Sequence, residues 1–370
     1  MNQTTEAFLA LLRAGLWEQS TQLLPFEPLD FEGIYQIADD QSVVGLVAAG
    51  LEHVEDRKIV KPEALPFLKK VFAQEARNAS MNVFIEALVE KMRGVRIYSL
   101  LIKGQGIAQC YSRPQWRSAG DVDFLLDDLA YERAKVLLLP LASSSLVEGK
   151  YTKEQEMTID SWSVELHGTL RTGLSRRIDR VLDQVQGECC GQGAVRAWNN
   201  GGCTVFLPAP MQDVFVVFTH IIKHFYKGGI GLRQICDWCR LLWTYRETID
   251  KALLESRLRS MGLFSEWRAF AAFTVETLGM PKEAMPLYNA ATKWKRKANR
   301  IQKFIIKVGN FGHNRDMSYY KKFPYLIRKT ISFSQRISDL CRHTLIFPLD
   351  SLRFFPSIVF NGLRSAAKGE

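Results

Sequence analysis

Asp121 and Asp123 stand two residues apart in the run Gly120-Asp121-Val122-Asp123-Phe124-Leu125-Leu126. Such alternation is that of a β-strand, whose successive side chains point to opposite faces. Both carboxylates therefore share one face, and Val122 and Phe124 share the other. Two like charges held side by side repel unless a cation sits between them. A hard ion such as magnesium, which prefers oxygen ligands, fits such a seat. The chain must then build a sheet with an apolar back and an acidic pair on its front.

A second strand is expected over 96–102, followed at once by Lys103-Gly104-Gln105-Gly106 and a short helix at 107–111. An irregular basic loop holding Arg113 and Arg117 leads into the acidic strand, read as 121–126. Asp128 is placed to cap a helix that Pro140 stops. More strand is expected over 141–170. There, Ser161-Trp162-Ser163-Val164-Glu165-Leu166-His167 alternates, with Ser163, Glu165 and His167 on one face. A helix follows near 175–185, then a loop or hairpin over 187–202 and a strand over 203–207. Residues 1–92 read as helical: one helix capped by Thr4 or Thr5, one capped by Ser42, and a long one over about 62–93 with an apolar stripe through Met81, Phe84, Ile85, Leu88, Val89 and Met92. From 211 on the pattern is helical again, with helices at 213–226, 232–245, 249–261, 264–279 and 282–308. The fold class is α+β, a small mixed sheet flanked by helical regions. The expected units are 1–93, 94–210, 211–308 and 309–370.

The strand ends can bring Lys103, the glycine amides, Asp121, Asp123 and Glu165 to one cleft. Three carboxylates can hold one or two divalent metals, which clamp the phosphates of a nucleoside triphosphate (NTP). Glycines allow close backbone approach to phosphate, and Lys103 brings a point charge. This ordered set resembles the uncharacterised nucleotidyltransferase family within the DNA polymerase β-like nucleotidyltransferase superfamily. The resemblance rests on Lys103-Gly104, Tyr111, Arg117, Asp121, Asp123 and Glu165-Leu166-His167, then on His220, His224, Arg233 and Asp237 in a helical region. It covers about 80–245.

The resemblance implies a polymerase β-like sheet and metal-dependent transfer of a nucleoside monophosphate from an NTP to a hydroxyl acceptor. Asp121 and Asp123 would bind magnesium or manganese, and Glu165 would be a third ligand or the base. Lys103, Gly104, Gln105, Arg117 and His167 would meet the nucleotide's phosphates. His220, His224, Arg233 and Asp237 would face the cleft. Where the superfamily has Gly-Ser or Gly-Gly after its first strand, this chain has Lys103-Gly104-Gln105-Gly106. The phosphate grip thus departs from the pattern while the metal site keeps it. That departure leaves a non-catalytic binding or regulatory protein on the same fold as an alternative.

Charge adds a second region. The chain of 370 residues carries a net +10. Residues 293–370 hold 17 Lys and Arg against 4 Asp and Glu, and the rest holds 32 against 35. The basic character therefore does not belong to the acidic pair. A basic, aromatic tail suits an anionic membrane surface or a polyanion, and a nucleic-acid enzyme using it is a further alternative. His220 and His224 with Cys236 and Cys239 have a spacing open to zinc, but both pairs sit in apolar helical patterns where Cys is commonly a core residue. The seven cysteines are odd in number and frame no small disulfide scaffold, and no basic-then-apolar leader is seen. No apolar run approaches the ~20 residues of a membrane-spanning helix. A cytoplasmic protein, at most peripheral at the inner membrane surface, is expected.

Overall fold

The acidic strand lies at the centre of a seven-stranded mixed sheet. A computed structural model describes residues 2–146, 148, 153–227, 229–309 and 325–356. Four helices come first: α1 (Gln3–Trp17), α2 (Phe31–Asp40), α3 (Val44–Leu51) and the long α4 (Lys61–Gly94). The sheet region follows with β1 (Leu100–Ile102), α5 (Gly104–Ala108), β2 (Asp121–Leu125), α6 (Asp128–Leu138), β3 (Ser144–Ser145), β4 (Glu154–Ile159), β5 (Trp162–His167), α7 (Arg176–Gly191), β6 (Val195–Asn200) and β7 (Cys203–Pro208). Then come α8 (Pro210–Lys227), α9 (Leu232–Thr244), α10 (Lys251–Met261), α11 (Phe264–Glu276), α12 (Thr292–Val308) and α13 (Tyr325–Ile346). No helix among the described residues is long and apolar enough to cross a membrane.

The strand order is β3-β4-β5-β2-β1-β7-β6. β2 runs antiparallel to β1 and parallel to β5, so both neighbours present side chains to the acid-bearing face. Register puts Asp123 beside Ile102 on one side and Glu165 on the other, and Leu125 beside His167. Val122, Phe124, Val164 and Leu166 point to the opposite face, where α4 and α6 cover them with Phe84, Ile85, Leu88, Tyr131 and Leu138. Phe124 is fully buried there and contributes about 2 kcal/mol by leaving water. The acid-bearing face is covered by a second core that joins the N-terminal helices to α8–α12, from Ala7 to Phe354.

Differences from the expected elements have local causes. Asn2, not Thr4 or Thr5, caps α1, accepting from the Thr5 amide at 3.0 Å. Asp127, not Asp128, caps α6, accepting from the Ala130 amide at 2.8 Å. Ser42 has φ +56, and α3 begins two residues later without a side-chain cap. α7 runs on to Gly191 because Cys189 is buried in the core on its apolar stripe. The helix expected over 282–308 starts only at Thr292, since Pro286 and Asn289 interrupt the pattern. All seven cysteines are free.

Candidate functional site

The turn after β1 is held in an unusual backbone state. Lys103 has φ +58 and ψ −146, a region suited to glycine, at a cost of about 1–3 kcal/mol. This bend aims its side chain back over the sheet. Its Nζ lies 2.8 Å from Asp123 Oδ1. Gly104 follows at φ +43, and a Cβ there would stand 3.4 Å from the Asp121 carbonyl oxygen. The turn and the acidic strand are thus in backbone contact.

His167, at the end of β5, reaches the same Asp123 Oδ1 with Nε2 at 2.8 Å. Glu165 Oε2 is 3.3 Å from that nitrogen, and Glu154 Oε1 of β4 is 3.8 Å from Nδ1. Glu154 in turn pairs with Lys223 of α8 at 2.8 Å. Asp123 is only 2 % exposed. Four carboxylates, an imidazole and two ammonium groups therefore share a half-buried patch around the buried Asp123 and His167.

The charges there depend on one another. The Asp121 carboxyl is pushed up, first by the Asp123 charge and then by burial. Burial opposes the Lys103 charge, but Asp123, Glu165 and Asp121 together raise it above its ordinary value. Burial likewise opposes charge on His167, and its bonds to Asp123 and Glu165 raise it. For Glu165, burial would raise the carboxyl, but His167 and Lys103 hold it below the usual range. This is a cluster of negative groups stabilised by whatever positive charge sits among them.

Asp123, Glu165 and His167 each offer a ligand atom, all within 4.8 Å of one another, the one such group among the described residues. Carboxylate oxygens with one imidazole fit a divalent cation. Asp121 lies beside them on the same strand face and lines a cavity of about 40 Å³ with Lys103, Gly104 and Asp123. His220, Arg233, Asp237 and Arg117 line it too. A second cavity, also about 40 Å³, lies on the other side of Lys103 and His220, against Glu154, His167, Lys223 and the turn at 169–172.

The helical residues divide into two groups. His220 and His224 lie one turn apart on α8, with ring centres 4.3 Å apart and planes tilted by 58°. Burial first, then Lys103, drives the His220 imidazole well down. Burial and Lys223 push His224 down to about 3. Both are neutral at pH 7. Arg233 donates to the Ser118 carbonyl at 3.2 Å and borders Gly120. Asp237 instead closes a buried network. Arg117 donates to its two oxygens at 2.8 Å each, and Tyr111 donates its hydroxyl at 2.8 Å.

The sheet and α8–α9 thus bring together Lys103, Gly104, Asp121, Asp123, Glu165, His167, His220 and Arg233. Arg117 and Asp237 border the cavity with their polar atoms engaged on each other. Gln105 turns away, 2 % exposed, and donates to Asn78 of α4 at 3.0 Å. Asn78 in turn donates to the Gln115 and Arg117 carbonyls. Gln105 thereby braces the loop ahead of Asp121. Sequence reasoning missed Glu154 and Lys223. The signal for Lys223 was its place one turn beyond His220; Glu154 had none beyond a strand position.

A family model described as an uncharacterised nucleotidyltransferase matches residues 27–279. The chain belongs to this nucleotidyltransferase family. The matched span holds every residue of the site and stops before the basic α12. No curated protein and no solved structure matches the chain. Transferase chemistry is the coarse reading that membership in a nucleotidyltransferase family supports, with an acidic cluster fit for a cation at its centre.

Proposed function

We propose that the protein transfers a nucleoside monophosphate from an NTP to a hydroxyl acceptor, with magnesium or manganese as cofactor. The observation that carries this reading is the register of β2 and β5. It sets Asp123 beside Glu165, with Asp121 on the same face and Lys103 folded over them. Asp121, Asp123 and Glu165 would hold the cation, with His167 as a fourth donor. Such a cation supplies charge neutralisation on the triphosphate and on the leaving oxygen. The chain's own part is to bind and align. Lys103 and Arg233, which line the cavity with the acidic pair, offset phosphate charge, and the neutral His220 offers a hydrogen bond without adding charge. Where Glu165 is not a ligand, it is the base that takes the acceptor's hydroxyl proton. The acceptor oxygen bonds to the α-phosphorus, the bond from that phosphorus to the bridging oxygen breaks, and pyrophosphate leaves.

A second reading has its own support. Asp123 is already engaged by Lys103 and His167, as in a binding protein that performs no transfer. Calorimetric titration of ATP, GTP, CTP and UTP, with and without magnesium, tests the nucleotide site, and release of pyrophosphate from the bound nucleotide separates transfer from binding alone. Magnesium-dependent binding of at least one nucleotide, lost in Asp121→Ala/Asp123→Ala, is expected. A folded protein that binds none of the four contradicts the transfer reading.

A further inference from the structure

The basic C-terminal region carries a surface that the catalytic site does not use. α12 has no Asp or Glu in its sequence. Lys293, Arg296, Arg300, Lys303 and Lys307 recur along it at spacings of three and four, and all five are exposed. That spacing is one helix face. The opposite face, with Trp294, Ala298, Ile301, Phe304 and Ile305, is buried in the core. A helix face of five cations without an acid is a concentrated positive field.

An apolar ridge lies against this stripe. Leu345 is 67 % exposed, Leu349 79 % and Leu352 62 %. One exposed leucine is ordinary, but three within eight residues at the junction of two helices are not. Leu345 closes α13, and Leu349 and Leu352 stand one turn apart on the short helix at 348–356. Arg300 donates to the Leu345 carbonyl, so stripe and ridge touch. The ridge is also firmly seated. Phe347 and Phe354 are buried beneath it, their rings 6.1 Å from Phe225 and 4.9 Å from Tyr226 of α8.

We propose that this face docks on an anionic lipid bilayer, with Leu345, Leu349 and Leu352 entering the acyl boundary and the α12 cations lying among the headgroup phosphates. Charge complementarity favours an anionic partner, and the ridge selects which one. Nucleic acid is gripped by cations together with aromatic rings on which bases stack. Aliphatic prongs give no such platform, whereas they gain by leaving water for hydrocarbon. The family match ends at residue 279, so the surface belongs to the part of the chain outside it. The inference does not depend on the transfer reading.

The test is co-sedimentation of the full chain with vesicles of phosphatidylcholine alone and of phosphatidylcholine mixed with phosphatidylglycerol. Binding to the mixed vesicles only, weakening as salt rises, is expected. Each cation at an anionic surface is worth roughly fivefold in partition. Lys293→Gln/Arg296→Gln/Lys303→Gln/Lys307→Gln should therefore lower partition at least about tenfold. Leu345→Ser/Leu349→Ser/Leu352→Ser should do the same, roughly tenfold or more. Both variants change exposed side chains, so their thermal melts should match the wild type. Absence of binding to mixed vesicles overturns the proposal. So does vesicle binding that the leucine variant leaves unchanged, above all if single-stranded RNA binds as well, since the face would then be a general polyanion surface.

Discussion

Asp123 and Asp237 are both buried aspartates, each with a basic partner and one further hydrogen-bonding side chain. Asp237 meets Arg117 through two bonds of 2.8 Å and receives the Tyr111 hydroxyl. One negative charge faces one positive charge, and the donors are matched in direction. Asp123 receives Lys103 and His167 on a single oxygen, with Asp121, Glu165 and Glu154 close by. Its neighbourhood has more carboxylates than its cations balance in fixed pairs. The first arrangement is closed and holds α9 against the loop before β2. The second is crowded, with two positive groups on one carboxylate oxygen and further carboxylates beside them. A buried ion pair by itself therefore does not distinguish a candidate site from a structural brace; the excess of carboxylates around Asp123 is what separates it from Asp237.

Three variants sharpen the contrast. Asp237→Asn leaves the Arg117 guanidinium buried without its counterion and should cost about 3–5 kcal/mol in urea unfolding. A cost near zero would mean that the network is not structural. Next comes a buried acid of a third kind. Glu266 accepts from the Tyr226 hydroxyl at 3.1 Å, and burial, then the Asp350 charge, push its carboxyl up to about 8. Its folded-state value lies above the unfolded one, so folding favours the protonated form. The stability this gives is fully present below about pH 4.5 and is lost as the pH rises to about 8. Glu266→Gln should therefore unfold at higher urea than the wild type at pH 8.5, by on the order of a few kcal/mol, and show little advantage at pH 4.5. An advantage equal at both pH values would deny that Glu266 is held protonated. The smallest effect on stability is expected at the crowded cluster. Asp123→Asn leaves Glu165 and Asp121 to balance Lys103, so its cost should stay near about 1 kcal/mol. A loss as large as that of Asp237→Asn would erase the distinction.

Much of this was legible in the sequence, for stated reasons. The strict alternation in Asp121–Leu125 and in Trp162–His167 fixes which side chains share a face, and the sheet pairs these two strands in register. The apolar stripes of α4 and α8 predict which faces are buried. What the sequence did not disclose depends on contacts across the fold. Glu154 matters because β4 pairs with β5 and brings it to His167, and Lys223 because α8 crosses that edge. Gln105 sits in a glycine turn that suggests phosphate, yet its amide is drawn to Asn78 of a helix 27 residues earlier. Arg117, expected at the phosphates, instead turns Nε and one Nη to Asp237, 120 residues on, a partner the sequence does not place beside it. The basic tail was visible as charge. Its division into an α12 stripe and a leucine ridge was not, because exposure is a property of packing. Residues 310–324 and 357–370 of that tail lie outside the described residues.

The central claim is that Asp121, Asp123 and Glu165 form a seat for a divalent cation. Titration of manganese followed by its electron paramagnetic resonance signal tests it most directly, because bound ion is removed from the free signal whatever the acceptor is. Wild type should bind manganese in competition with magnesium. Asp123→Asn should weaken that binding at least about tenfold while its circular dichroism stays that of the folded chain. Manganese bound equally by Asp123→Asn and wild type, or by neither, would contradict the account.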